Sequence, residues 1–193
     1  MNSASPRDRL RVGVLALQGG FAAHERILAG LGALPCAVRT PNDLEGLDAL
    51  VMPGGESTVM TLGVQREGLA QPLTDFAAHR PVLATCAGMI MLDRDHLGVL
   101  DVRAERNAFG RQLRSFEIDL DFPDGPVHAV FIRAPWIAEH GDGVKILASL
   151  DDHPVAIRSG AITALAFHPE LSGESRFHTW LLDQATGSRN SSS

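Results

Sequence analysis

Four short apolar runs in the first half of the chain, each closed by small or turn-forming residues, most constrain how it can fold. Val12–Leu17 ends at Gly19-Gly20, and Asp48–Met52 ends at Pro53-Gly54-Gly55. Pro35–Val38 and Pro81–Thr85 are the other two. Between them lie stretches with helical spacing: Phe21, Ile27, Leu28 and Leu31 share one face, and 56–64 and 69–79 follow. Strands that are apolar at successive positions are covered on both faces. Their alternation with helices therefore predicts βαβ units and a parallel sheet. The second half changes character. Ser115–Leu120, Val127–Ile132, Val144–Ser149, Val155–Arg158 and Ile162–Phe167 are closely spaced strands with turn signals between them. They read as an antiparallel extension of the sheet, followed by a closing helix around Phe177–Asp183. The expected class is α/β, a three-layer sandwich with a mostly parallel central sheet. No repeat or linker interrupts 8–186, which reads as one domain, with 1–7 and 187–193 as disordered tails.

Charge narrows the partners. Seventeen Lys and Arg against 23 Asp and Glu leave a formal charge of −6, which argues against a nucleic-acid surface. Tyrosine is absent, and no run of aromatics offers a stacking platform. Arg103, Arg106, Arg111 and Arg114 are interleaved with Glu105 and Glu117 and suit a small anionic ligand better than a polymer. The two cysteines, Cys36 and Cys86, form no Cys-x-x-Cys pair and no metal-ligand spacing with histidine. Neither a disulfide framework, a metal nor a cofactor is expected. No apolar run approaches the ~20 residues that span a bilayer. Met1–Leu10 has no signal-peptide core. A reducing cytoplasm is the expected compartment.

In open parallel sheets, ligands sit beyond the carboxyl ends of the strands. One such end is Thr85-Cys86-Ala87-Gly88, followed by the apolar Met89-Ile90-Met91-Leu92. A nucleophile on a sharp strand-to-helix turn needs small residues two before and two after it, as Ala84 and Gly88 are. The helix N-terminus there favours a thiolate, and the Ala87 N–H can serve as half of an oxyanion hole. The tetrapeptide alone fits a buried structural cysteine equally well. Cys36, inside a strand with no turn after it, reads as plain core.

A thiol nucleophile needs a base, and the base an orienting group. Phe167-His168-Pro169-Glu170 follows the last apolar strand. Proline disposes His168 toward extended geometry, which puts side chains i and i+2 on one side. Glu170 can then hold the His168 tautomer. Taken alone, the segment better suits a surface histidine beside a capping glutamate. Paired with the cysteine elbow, it points to a Cys86–His168–Glu170 triad. The third strand end, Pro53-Gly54-Gly55-Glu56-Ser57-Thr58, offers close backbone approach and free N–H groups, without the Lys-Ser/Thr of a phosphate loop. A plain helix start with an acidic first turn is its simpler reading. His79, His96, His140 and His153 read as solvated. His128 and His178 read as remote from the chemistry, and His24 as structural or peripheral.

Together these segments resemble the class I glutamine amidotransferases, and among them the glutaminase subunits of pyridoxal 5′-phosphate synthases. The likeness runs from Val12 to about Leu182. It rests on Leu15-Ala16-Leu17-Gln18-Gly19, Pro53–Thr58, Thr85–Met89, Arg106-Asn107-Ala108-Phe109-Gly110-Arg111-Gln112, Ser115-Phe116-Glu117, Phe131-Ile132-Arg133-Ala134-Pro135 and Phe167–Leu171. The resemblance implies a flavodoxin-like, class I amidotransferase fold with Cys86 as nucleophile and His168 and Glu170 completing the triad. It implies glutamine binding by Gly55, Glu56, Ser57, Arg106, Ile132 and Arg133, with an oxyanion hole at Gly55 and Ala87. Its reaction is hydrolysis of L-glutamine through a thioester. The ammonia goes to a (β/α)8-barrel synthase subunit within a large hetero-oligomer. A different Cys-dependent hydrolase, a glutaminase of another amidotransferase complex, and a catalytically dead binding subunit are the other readings. Two departures from the family pattern stand out: a short loop, Leu92-Asp93-Arg94-Asp95-His96, and Ala22-Ala23 where Arg-Glu is usual before the first-helix histidine.

Overall fold

A computed structural model describes residues 9–109 and 115–191. Residues 1–7, read above as a tail, and Arg111, Gln112 and Arg114 lie outside that range. The chain runs β1 (Arg11–Leu15), α1 (Phe21–Gly30), β2 (Leu34–Val38), β3 (Ala49–Met52), α2 (Ser57–Arg66), α3 (Ala70–His79), β4 (Val82–Thr85) and α4 (Ala87–Leu92). It continues with β5 (Val102–Glu105), β6 (Ser115–Leu120), β7 (Val127–Ile132), β8 (Trp136–His140), β9 (Lys145–Leu150), β10 (His153–Ser159) and β11 (Ile162–Leu165). Two helices close it, α5 (Pro169–Ser172) and α6 (Arg176–Ser191).

The main sheet has the order β2-β1-β3-β4-β11-β10-β9. Neighbours from β2 through β11 are parallel, and β11-β10 and β10-β9 are antiparallel. Every residue of β3, β4 and β11 is buried, as strands covered on both faces must be. Helices α1 and α6 pack along the sheet, α1 on β1 and β2 and α6 on β3 and β4, while α4 lies on β4 and β11. Thus the α/β class and the mostly parallel sheet agree with expectation.

The second half differs from it in three ways. Only β9 and β10 form the antiparallel extension, because Ile162–Leu165 pairs parallel to β4 and belongs with the first half. Strands β6 and β7 make their own two-stranded sheet. So do β5 and β8, and β8 has no counterpart in the sequence reading. Phenylalanines tie the β6-β7 ribbon down: Phe116 stacks on Phe131 at 4.7 Å, and Phe131 meets Phe167 at 5.6 Å. Phe167 continues to Phe177 of α6 at 5.7 Å. Finally, α6 runs to Ser191, through 187–191 of the segment read as a disordered tail. The Arg189 guanidinium donates to both oxygens of Asp48, at 2.6 and 2.7 Å, and this pins the last turns.

The short loop after Leu92 is closed by its own hydrogen bonds. Leu97, Gly98 and Val99 donate backbone N–H groups to Met91, Asp93 and Leu92. The buried Asp93 carboxylate accepts from Asp95 N, His96 Nδ1 and Ala104 N.

Candidate active site

Four parallel strands deliver their carboxyl ends to one place. Beyond β1 lies Gln18, beyond β3 Gly54–Ser57, beyond β4 Cys86, and beyond β11 His168. They border a cleft of about 450 Å³ lined by Gln18, Gly55, Glu56, Ser57, Thr58, Cys86, Ala87, Ile90, Arg106, Asn107, Ile132, Arg133 and His168. Every residue that the resemblance places in catalysis, glutamine binding or the oxyanion hole lines this cleft except Glu170, which bonds to His168 from outside the lining; Arg103, read as suiting an anionic ligand, does not line it. Gln18, Thr58, Ile90 and Asn107 are additions. Gln18 was findable as the residue after the first strand. Thr58 and Asn107 lie in stretches that carry the family resemblance, and Ile90 has no local signal of its own.

Cys86 is the N-cap of α4 and adopts φ 48°, ψ −108°. The backbone turns so sharply that a Cβ on Gly88 would collide with the Met52 carbonyl oxygen of β3. The small residue after the elbow is therefore required by a neighbouring strand. The Cys86 N–H donates to Leu165 O at 2.7 Å, which anchors the turn to β11. The thiol is buried and faces the Ile132 carbonyl at 3.9 Å. Asn107 at φ 49° and Arg133 at φ 43° also hold left-handed conformations on the cleft wall. Such conformations cost about 1–3 kcal/mol each and persist where the surroundings impose them. Cys36 is half-buried, with its thiol 3.7 Å from its own strand's Leu34 carbonyl, so it is less enclosed than the expected core position.

His168 and Glu170 meet as expected, but by a different local geometry. The segment is not extended: Pro169 takes the first position of α5, His168 caps it, and Glu170 lies in its first turn. Proline's fixed φ starts the helix here instead of prolonging a strand. The His168 N–H donates to Val130 O of β7 at 2.9 Å, and Nδ1 lies 2.7 Å from Glu170 Oε1. Gly54 packs so closely that a Cβ there would overlap the His168 ring and sit 3.2 Å from Cys86 Cβ. Burial alone would lower the basicity of His168. Hydrogen bonds to Cys86 and Glu170 outweigh it and lift the pKa to about 10. Burial likewise works against ionised Glu170, but the hydrogen bond from His168 holds it below the ordinary carboxylate value. A cysteine sulfur, an imidazole and a buried carboxylate in this order can generate a thiolate and keep its proton on the imidazole.

Two histidines read as uninvolved belong to this cluster. His24 of α1, read as structural or peripheral, is buried against the triad: its Nε2 lies 3.4 Å from Glu170 Oε2. Its Nδ1 lies 2.9 Å from His178 Nε2 of α6.

The opposite wall is built differently. Glu56 caps α2, accepting from the Thr58 and Val59 N–H groups at 3.3 Å each, and its own N–H donates to Gln18 Oε1 at 2.6 Å. Arg106 donates to Thr58 Oγ1 at 3.3 Å and reaches His96 Nε2 at 3.1 Å. His96 Nδ1 lies 2.6 Å from Asp93 Oδ1, so His96 is half-buried and bonded, not solvated. His153, also read as solvated, stacks on Trp136 at 3.6 Å. No group of His, Cys, Asp and Glu among the described residues has the arrangement of a metal site. Nor is any described helix long and apolar enough to cross a membrane.

Residues 14–186 match the SNO glutamine amidotransferase family. The chain belongs to that family. It is 51% identical over 186 residues to the pyridoxal 5′-phosphate synthase subunit PdxT of Clavibacter michiganensis subsp. michiganensis, covering 89% of each chain. With the PdxT of Pelotomaculum thermopropionicum it shares 47%, covering 91% of this chain and 95% of that one. A solved glutamine amidotransferase superposes with a TM-score of 0.85 at 43% identity, over 91% of this chain and 98% of that chain. The PurLQS structure from Thermotoga maritima, at 16% identity and TM-score 0.75 over 91% and 98%, bears on the fold alone. In this family, hydrolysis of glutamine supplies ammonia.

Proposed function

We propose that this chain is the glutaminase subunit of a pyridoxal 5′-phosphate synthase, with Cys86, His168 and Glu170 as its catalytic triad. The observation that carries the reading is His168, 2.7 Å from Glu170 and bordering with Cys86 a cleft that Arg106 and Arg133 also line. The Cys86 thiolate attacks the side-chain amide carbon of L-glutamine, and the carbonyl oxygen becomes an oxyanion. We assign the oxyanion hole to the N–H groups of Ala87 and Gly55, both of which line the cleft with Cys86, because fixed donors are worth most at that position. His168 gives its proton to the amide nitrogen, the C–N bond breaks, and ammonia leaves a thioester on Cys86. Water then loses a proton to His168 and attacks the thioester, releasing glutamate and the thiol.

Glutamine is a zwitterion, and the opposite wall carries groups for both of its charges. Arg106 and Arg133 suit the α-carboxylate, with the Ser57 hydroxyl and the Ile132 backbone beside them. Each Glu56 oxygen retains a lone pair after capping α2, so the carboxylate can accept from the α-ammonium without abandoning the helix. Ammonia is useful only if it stays unprotonated and away from bulk water. The cleft mouth therefore faces a synthase subunit, read as a (β/α)8 barrel within a large hetero-oligomer. The test mixes the purified chain with its synthase subunit and follows glutamate release. Cys86→Ala loses activity by roughly 10⁴-fold or more while keeping its fold. An electrophilic glutamine analogue labels Cys86 in the parent chain. Unchanged turnover in the variant, or a label on another residue, overturns the assignment.

A further inference from the structure

The triad uses one oxygen of Glu170; the other faces a pair of histidines that the reaction leaves without a task. His24 and His178 come from α1 and α6, 154 positions apart, and both are fully buried. Their rings lie 5.1 Å apart and tilted by 40°, with His24 Nδ1 at 2.9 Å from His178 Nε2. His24 Nε2 approaches Glu170 Oε2 to 3.4 Å, yet neither atom completes a hydrogen bond, and His178 Nδ1 has no partner among the described residues. Buried polar atoms are normally satisfied, so three unpaired ones in a row require an explanation.

Burial drives His24 below its ordinary pKa despite Glu170, and drives His178 down to about 3. Both rings are therefore neutral at neutral pH, and each carries one N–H. The titratable groups facing the pair are Glu170 and His168 on the α5 side and the two imidazoles themselves. One proton lies between His24 Nδ1 and His178 Nε2. If His24 supplied it, a bare His24 nitrogen would face a carboxylate oxygen, and the remaining His178 N–H would be buried with no acceptor. If His178 supplies it, His24 keeps its N–H on Nε2, aimed at Glu170 Oε2. Only the second arrangement is electrostatically sound, and a slight rotation of either side chain brings 3.4 Å into hydrogen-bonding range.

We infer that His24, its tautomer set by His178, is a positioning residue that holds the second oxygen of Glu170 and so keeps the carboxylate on His168. The order is His178 to His24 to Glu170 to His168 to Cys86. This inference rests on the triad reading above, and its tests separate the two. In long-range ¹H–¹⁵N spectra of histidine-labelled chain, both His24 and His178 show the Nε2–H tautomer; a His24 protonated on Nδ1 overturns the inference whatever the activity. The second test is the rate of iodoacetamide alkylation of Cys86 against pH, read by mass spectrometry of its peptide, which needs neither glutamine nor a partner. His24→Phe loses about tenfold in rate near neutral pH, a fraction of the ~10²–10⁴ that a positioned acid–base group supplies. His24→Gln restores most of it, because its amide can donate to Glu170. Unchanged reactivity in His24→Phe overturns the inference, as does an equal loss in both variants at matched melting temperature, which would mark mere packing. Loss of the triad reading itself would show instead as glutaminase activity surviving Cys86→Ala.

Discussion

The two walls of the cleft are made by different physics. On the triad wall, His24, His168 and His178 are buried and the Glu170 side chain is 2% exposed, and bonds of 2.7 to 2.9 Å run from Val130 O through His168 to Glu170 and between the paired histidines. On the recognition wall, Glu56, Arg106 and Arg133 are exposed, and bonds to Thr58 and Val59 stretch to 3.3 Å. Fixed dipoles in a dry setting are what a charge-separated reaction needs, since they require no reorganisation when charge moves. A wall that must admit, grip and release a zwitterion is better made of solvated charged side chains. The comparison therefore predicts that changes on the first wall act on turnover and pH behaviour, and changes on the second act on glutamine affinity.

Gly54→Ala is the most severe way to break this division. Its Cβ would drive into the His168 ring, with Nδ1 at 3.0 Å and Cys86 Cβ at 3.2 Å. Overpacking of this kind costs about 1–3 kcal/mol and displaces side chains. Here it displaces the base relative to the nucleophile, and kcat drops by roughly 10²-fold for a misplacement on the order of 1 Å. KM for glutamine changes little. Steady-state glutaminase kinetics with the synthase subunit decide it. A variant whose KM alone rises would show that Gly54 serves recognition and that the walls are not separable.

The walls were unequally legible in the sequence, and the reason is distance along the chain. Cys86 announces itself by Ala84 and Gly88, and His168 by its neighbours Pro169 and Glu170; these are local patterns at strand ends. Even there the geometry was misjudged, because Pro169 begins a helix. Ile132 and Arg133 sit on segments with no local chemical signature, and only the family resemblance singled them out, while Arg106 stood out only as one of several interleaved arginines. His24 and His178 could not have been paired from spacing at all, since their contact exists only once α1 and α6 lie against the same sheet. Strand β8 was missed because Ala138, Glu139 and His140 are exposed and break any apolar run. The last turns of α6 carry Gly187, Ser188 and Asn190, weak helix formers, yet Arg189 reaches Asp48 across the fold and overrides them.

A smaller effect separates the walls by pH. His178 and His24 are neutral when folded and bind protons near the ordinary histidine value when unfolded, so stability falls as pH drops below about 6.5. For His178 the decline approaches about 1.4 kcal/mol per pH unit and continues toward a pH of about 3, and His24 adds to it in the same direction. His168 acts in the opposite sense. Its raised value gives stabilisation that is complete below about 6.5 and lost as pH climbs toward about 10. Thermal melting of the free chain thus peaks near pH 6.5 as far as this wall is concerned. His178→Gln flattens the acid side by about one proton's worth of slope between pH 6.5 and 5. An acid slope identical to that of the parent chain would mean that the buried pair is already protonated, and the triad wall would lose its dry character.

The mildest test addresses the recognition wall through a side chain that cannot touch the reacting atoms. Arg106 donates to His96 Nε2 only while His96 keeps its proton on Nδ1, where Asp93 holds it at 2.6 Å. His96→Ala removes the acceptor, and Arg106 keeps only its 3.3 Å bond to Thr58. A hydrogen bond from a charged donor near the surface is worth about 1 kcal/mol net, so KM rises roughly fivefold. His96→Gln, able to accept from Arg106 and donate to Asp93, stays near the parent value. On the proposed assignment of Arg106 to the α-carboxylate of glutamine and not its amide, kcat is unchanged in both variants. A fall in kcat at constant KM would place Arg106 on the side of the chemistry, and the division between a rigid wall that reacts and a solvated wall that recognises would have to be redrawn around it.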